Sequence, residues 1–245
     1  MSGLSIVIPA YNEETNVQNA VVKISYIAQD LGLDYEIILV NDGSQDRTGE
    51  IGGQLAKTIP HFRLVSHYPN RGYGGALKAG FTAAFKELIV FIPADNQFDF
   101  NEVDKLLALT GDADIVCGYR VKRQDPLSRW INAFGWNTLV RLLFGYLSRD
   151  IDCGFKLFRR AILDEVKLVS NGAMVDTELL AGAKARGYRI AEVPVTHLPR
   201  ISGEATGAHP KVILKAFQDL IEFRMRLNRE LAESNKHGDA AAHIH

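Results

Sequence analysis

Three carboxylates stand where apolar, strand-length runs of this sequence end. Glu13 follows the run closed by Ile8, Asp42 follows Tyr35 to Val40, and Asp95 follows Leu88 to Ile92. Taken singly, each reads as a turn or helix-capping residue. Gathered at equivalent ends of one sheet, they would repel one another unless a ligand or cation compensated them. Asp42 suits acceptance from a nucleobase or a ribose hydroxyl. Asp95 with Gln97 offers the oxygen donors that a hard divalent cation takes, and such a cation would bridge phosphates.

Asn70-Arg71-Gly72-Tyr73-Gly74-Gly75 is a glycine-rich turn that serves either backbone geometry alone or close approach to a ligand. Its spacing differs from the dinucleotide fingerprint, and the first strand ends in Pro9-Ala10-Tyr11-Asn12-Glu13 with no glycine cradle. Both points argue against a nicotinamide enzyme. The P-loop and the serine nucleophile elbow are absent. Arg71, Arg120, Lys122, Arg123 and Arg129 form a basic complement, read either as solvated surface or as a seat for phosphate. They lead into the apolar stretch Leu127 to Tyr146, with Trp130, Phe134 and Trp136, which suits either a core helix pair or a lipid-facing surface.

These residues need elements to hold them. Strands are expected at Leu4 to Ile8, Tyr35 to Val40, Phe62 to Ser66 and Leu88 to Ile92, alternating with helices at Val17 to Gln29, Gly49 to Ile59 and Ala76 to Phe85. That alternation argues for a mostly parallel α/β sheet with helices on both faces and its ligand loops at the C-terminal strand ends. Further strands are expected at Ala113 to Gly118 and Arg189 to Val195, with an amphipathic helix from Lys211 to Leu231 whose apolar stripe is Val212, Ala216, Leu220, Phe223 and Leu227. The division expected is one domain over residues 1–231, with a nucleotide-binding half (1–118), an acceptor-binding half (119–231) and a disordered tail (232–245).

Composition narrows the classes. The chain has 245 residues, 47 % hydrophobic, and a formal net charge of -1, so no global field draws it to nucleic acid. Cys117 and Cys153 make neither a disulfide framework nor a metal cluster. Neither a signal peptide nor a transmembrane run is read, so a cytoplasmic location is expected, with any membrane contact peripheral.

Ile8-Pro9-Ala10-Tyr11-Asn12-Glu13, Asn41-Asp42-Gly43-Ser44, Asn70-Arg71-Gly72-Tyr73-Gly74-Gly75 and Ala94-Asp95-Asn96-Gln97 resemble the family 2 glycosyltransferases, the dolichyl- or polyprenyl-phosphate mannose and glucose synthases in particular. Asp152-Cys153-Gly154-Phe155-Lys156, Thr177-Glu178-Leu179 and Glu192-Val193-Pro194-Val195 extend the likeness. The resemblance implies a GT-A fold, a UDP- or GDP-linked sugar donor, Mg²⁺ or Mn²⁺, and inversion at the anomeric carbon. By it Pro9, Ala10, Tyr11 and Glu13 line the nucleobase pocket, and Asp42 contacts the base. Arg71 and Gly72 belong to the donor-side loops, and Asp95 and Gln97 sit at the diphosphate and metal. Arg120 or Arg123, with Arg129 and Arg200, would position a polyprenyl phosphate acceptor and offset charge as the nucleoside diphosphate leaves. Asp152 would orient that acceptor, or act as general base if the acceptor is instead a sugar hydroxyl. A non-catalytic nucleotide-sugar-binding protein is a third reading. A homo-oligomer and a membrane-protein partner are both left open.

One departure matters. The family's acidic motif carries a carboxylate two residues before Asp95, and Pro93 stands there. One metal ligand is missing, which would weaken cation binding or leave more water on the ion.

Overall fold

The computed structural model describes residues 3–121, 127–199 and 218–233, with side chains omitted for residues 127–133. The strands are β1 (Leu4–Ala10), β2 (Tyr35–Asp42), β3 (Phe62–His67), β4 (Leu88–Phe91), β5 (Ile115–Val121), β6 (Lys156–Arg159) and β7 (Ile190–Thr196). The helices are α1 (Val17–Asp30), α2 (Thr48–Leu55), α3 (Tyr73–Ala83), α4 (Val103–Leu107), α5 (Leu127–Phe144), α6 (Ile162–Glu165) and α7 (Met174–Ala185), then α8 over residues 218–233. The strands form one seven-stranded sheet in the order β3-β2-β1-β4-β6-β5-β7. All neighbours pair parallel except β6, which runs antiparallel between β4 and β5.

Alternation along the central strands explains the two layers. Ile6, Ile8, Ile37, Leu39 and Val90 face a core built with α1 and the Phe100–Val103 segment. Val7, Ile38, Val40, Ile89 and Phe91 face the other core, with α3, α5, α7 and α8. Both sets are fully buried, so these strands are apolar on both sides and read as continuous runs. Burying a side chain of this size contributes about 1.5–3 kcal/mol.

Three sequence expectations need adjustment. β1 continues through Pro9 to Ala10 instead of stopping at the proline. Pro9 sits on the β4 side past the last β4 partner, Val7↔Phe91, so its missing N–H breaks no ladder bond, while its carbonyl accepts from Ala94 N at 3.4 Å. α3 begins at Tyr73, inside the glycine-rich turn, and not at Ala76. α5 is amphipathic in a way the apolar run hid: Val140 is buried and Trp136 packs on the core, while Phe134 and Leu142 are exposed. α8 places Leu220, Phe223 and Leu227 in the core, as its stripe foretold. Val212 and Ala216 of that stripe, like the tail, lie outside the described residues.

Candidate active site

The C-terminal ends of β1, β2, β4, β5 and β7 share one edge, and antiparallel β6 brings its entry loop there too. At the β1–β2 side, the loops after the two strands are zipped together. Asn12 N donates to Ser44 Oγ (3.0 Å), Gln45 N to Asn12 Oδ1 (2.9 Å), and Glu14 N to Asp46 Oδ2 (3.0 Å). Of the residues expected at the nucleobase, Pro9, Ala10 and Glu13 are buried, and Tyr11 presents an exposed ring. Glu13 turns its carboxylate onto Asn16 Nδ2 (2.6 Å), where it supports the start of α1. Asp42 accepts the Arg71 backbone N–H at 2.8 Å, which brings Asp42, Arg71 and Gly72 together. His67, opposite Asp42 in the β2–β3 register, sets Nδ1 3.1 Å from the same carboxylate; sequence reasoning missed it because the two residues lie on different strands.

The glycine-rich turn serves the chain itself. Gly72 has φ +81°, and a Cβ there would lie 2.6 Å from the Asn171 carbonyl oxygen. A Cβ on Gly74 would meet the Ser170 carbonyl equally closely, and Gly74 N donates to Asn171 O at 2.9 Å. The turn packs backbone to backbone on residues 170–172.

After β4, Asp95 Oδ1 accepts the Gln97 N–H at 3.1 Å, so locally the plainer reading as a turn residue holds. The turn is clamped from outside: Gln97 Nε2 donates to Leu198 O (3.2 Å), Leu198 N to Gln97 O (2.8 Å), and Phe98 bridges His197. Among the described residues, Asp95 Oδ2 and the Gln97 amide oxygen accept no hydrogen bond, which leaves two oxygen donors on one turn. No group of three or more His, Cys, Asp or Glu among the described residues could hold a metal ion. Pro93 lies against the loop before β6, where a Cβ on Gly154 would come within 2.8 Å of its ring. That contact puts the Asp95–Gln97 turn beside the Asp152–Gly154 turn.

The flank expected to hold the acceptor contains a buried charge cluster. Arg120, at the end of β5, holds Asp150 through both oxygens (Nε 2.6 Å, Nη2 2.7 Å). Lys156 is fully buried, donates to Asp176 Oδ1 at 2.7 Å and to the Cys153 carbonyl, and lies 5.3 Å from the Phe91 ring centre. Tyr73 bonds the Asp176 carboxylate from α3. Two cations thus face three carboxylates, and Asp152 is the one without its own cation; its Oδ1 is buried with no hydrogen-bond partner. Burial, then the charges of Asp176 and Asp150, push the Asp152 carboxyl up to about 6, against the pull of Lys156 and Arg120. Burial pushes the thiols of Cys117 and Cys153 up to about 12, so both behave as inert core groups.

Arg120, expected on phosphate, is therefore already committed to Asp150. Arg123 and Arg200 lie outside the described residues, and Arg129 falls within α5 with its side chain undescribed. Asp150, Lys156 and Asp176 were missed as site residues, because their pairing joins segments that no local pattern links.

The family description Glycosyl transferase family 2 matches residues 5–167. This chain belongs to that family. It is 34 % identical over 209 residues to the glycosyltransferase AglD of Haloferax volcanii, covering 80 % of this chain and 33 % of that one. It is 32 % identical over 242 residues to a dolichyl-phosphate beta-glucosyltransferase of Trichomonas vaginalis, covering 89 % of this chain and 72 % of that one. This chain thus spans about a third of the first relative and most of the second. Among solved structures, glucosyl-3-phosphoglycerate synthase from Mycobacterium tuberculosis with Mn²⁺, UDP-glucose and phosphoglyceric acid superposes with a TM-score of 0.68 at 21 % identity, over 92 % of this chain and 79 % of that one. The shared architecture is the GT-A-like fold expected from the sequence.

Proposed function

We propose that this chain catalyses inverting transfer of a hexose from a UDP- or GDP-linked sugar to the phosphate of a polyprenyl phosphate. The observation that carries this reading is the Pro93–Gly154 contact: it brings the turn of Asp95 and Gln97, which we assign to the donor, beside the turn of Asp152, which we assign to the acceptor. A phosphate oxygen of the acceptor attacks the anomeric carbon; the new C–O bond forms as the bond to the departing diphosphate breaks. Membership of family 2 and the likeness to a dolichyl-phosphate beta-glucosyltransferase support the reaction class.

The free oxygens of Asp95 and Gln97 fit a hard divalent cation, Mg²⁺ or Mn²⁺. With Pro93 beside them, these two residues would hold it together with diphosphate oxygens and water. The cation would supply charge stabilisation at the leaving diphosphate. Asp42 is assigned to the base, with Arg71 and Gly72 alongside. Arg120 fixes Asp150 and, with it, the chain entering the Asp152 turn. The remaining basic residues of the set, Arg123, Arg129 and Arg200, are assigned to the acceptor phosphate.

The acceptor is a lipid, and among the described residues no helix is long and apolar enough to cross a membrane. We assign membrane contact to the outer faces of α5 and α8, where Phe134, Leu142, Ile221 and Met225 are exposed. Such contact would be peripheral, on the cytoplasmic side.

A second reading rests on Asp152: a buried, partnerless oxygen on a carboxyl raised to about 6 suits a general base on a sugar hydroxyl. Release of nucleoside diphosphate in detergent micelles separates the two. Stimulation by polyprenyl phosphate supports the first reading. Stimulation by soluble saccharide alone would replace it with the second.

A further inference from the structure

A cavity of about 280 Å³ opens between the C-terminal half of α5 and the loop that follows it. Its walls include none of the residues assigned above to donor, metal or acceptor. Phe134, Asn137, Thr138 and Arg141 face it from α5 at helical spacing, and Leu147 and Ile151 add apolar wall. Its cations converge on one residue, Tyr146. The Arg141 guanidinium sits 5.1 Å from the Tyr146 ring centre, Arg149 touches the Tyr146 hydroxyl and lies 4.8 Å from the Tyr119 ring centre, and Lys184 Nζ donates to the Tyr146 carbonyl at 2.7 Å. Gly145 makes room: a Cβ there would sit 3.2 Å from Lys184 Nζ.

Two guanidinium groups on the Tyr146 side chain, with an ammonium on its backbone carbonyl, need compensating charge. The carboxylate nearby is Glu192, and it is already taken by the Tyr146 hydroxyl (2.5 Å), Ser148 Oγ (3.0 Å) and the Arg149 backbone N–H (2.5 Å). Arg149 Nε is 4.0 Å from Glu192, a loose pair with the guanidinium largely exposed. The Arg141 guanidinium makes no hydrogen bond or ion pair among the described residues. Its guanidinium is propped on an aromatic face, which leaves its planar fork of donors for an anion. Asn137 spends its carbonyl oxygen on Ile151 N (3.4 Å), which keeps its amide N–H₂ as a further donor. Aromatic surface stands exposed at the rim, with Phe134 63 % and Tyr146 42 % exposed. Forked cations in a pocket with a greasy rim match a phosphate that carries hydrocarbon chains.

We propose that this cavity binds the phosphodiester headgroup of an anionic membrane lipid, separately from the acceptor crevice. The proposal rests on the membrane-surface reading above and gives it a site. Since the whole chain carries a formal net charge of only -1, a general field would not supply such binding.

The test is cosedimentation with phosphatidylcholine vesicles, with and without phosphatidylglycerol, in the absence of sugar donor and polyprenyl phosphate. The wild type should bind the phosphatidylglycerol vesicles about tenfold or more tightly, as expected for two basic residues at the surface. The R141Q/R149Q double variant should lose that preference. K57Q/K167Q, which removes the same charge from exposed positions elsewhere, should keep it. Soluble glycerophosphoglycerol should displace the wild type from the vesicles, a readout that needs no variant to fold. Equal binding to the two vesicle types, or equal loss in both double variants, would overturn the site while leaving the membrane reading standing. Displacement by inorganic phosphate as effective as by glycerophosphoglycerol would assign the cavity to a free anion and overturn the lipid. No binding to any vesicle would remove both the site and the membrane reading, leaving the transfer reaction to its own assay.

Discussion

On the flank assigned to the donor, Asp42 and Asp95 accept backbone N–H groups of the loops after β3 and β4, with His67 beside Asp42. On the acceptor flank, Asp150 and Asp176 are held by Arg120 and Lys156, cations that arrive from other strands. Backbone donors occupy one oxygen of each carboxylate and leave the other for a ligand. Buried ion pairs carry a desolvation cost that only good geometry offsets, and they make the cluster's charges interdependent. The donor flank should therefore lose chemistry without losing stability, and the acceptor flank should lose both together.

The largest expected effect is on the donor side. Asp95→Asn should lower transfer about 10²–10³-fold, the scale seen when a group stabilising transition-state charge is removed, with the urea midpoint unchanged. Undiminished turnover would sink the role given to Asp95. On the other flank, Lys156→Met leaves Asp176 buried without its cation and should cost about 3–5 kcal/mol of unfolding free energy in urea. Removing both charges together, in K156M/D176L, should restore most of that stability; a double variant as unstable as the single would show that the ion pair is not the source.

Asp152 sharpens the contrast further. Its raised carboxyl, at about 6, binds a proton more tightly in the folded chain than in the unfolded one. Its contribution favours the fold below the unfolded carboxylate range and is lost as pH rises through about 6. If the carboxylate form orients the acceptor or takes its proton, kcat/KM should fall below pH 6, and Asp152→Asn should abolish that limb while lowering the rate. An acid limb that persists unchanged in the variant would assign it elsewhere. The smallest effect is expected from Pro93→Asp. It should lower the Mg²⁺ or Mn²⁺ concentration for half-maximal activity several-fold, at a cost of about 1–3 kcal/mol from disturbing the packing against Gly154.

The donor flank was legible in the sequence because each of its parts is contiguous: an apolar run, then the polar residues that leave its end. Asp42 and Asp95 could be placed on a sheet edge from that pattern alone. The acceptor flank was not, because its organisation comes from strand order. β6 enters antiparallel between β4 and β5, and only that insertion brings Lys156 against Phe91 and Asp176. Nothing local in residues 150–156 says which of their charges will be paired. The glycines of residues 72–75 left two readings open for a related reason, since the backbone that Gly72 and Gly74 approach belongs to residues 170–172, nearly a hundred positions away. His67 was invisible until β3 took its register beside β2.

The reaction joins the two flanks, and one assay tests that junction most directly. UDP- and GDP-linked sugars, radiolabelled in the hexose, are incubated with the chain, polyprenyl phosphate and Mg²⁺ or Mn²⁺, and the mixture is partitioned into organic solvent. The account predicts label in the organic phase from one of these donors, dependent on the lipid phosphate and lost in Asp95→Asn. Label that stays in the aqueous phase for every donor, whether as free sugar or on a soluble saccharide, would contradict it.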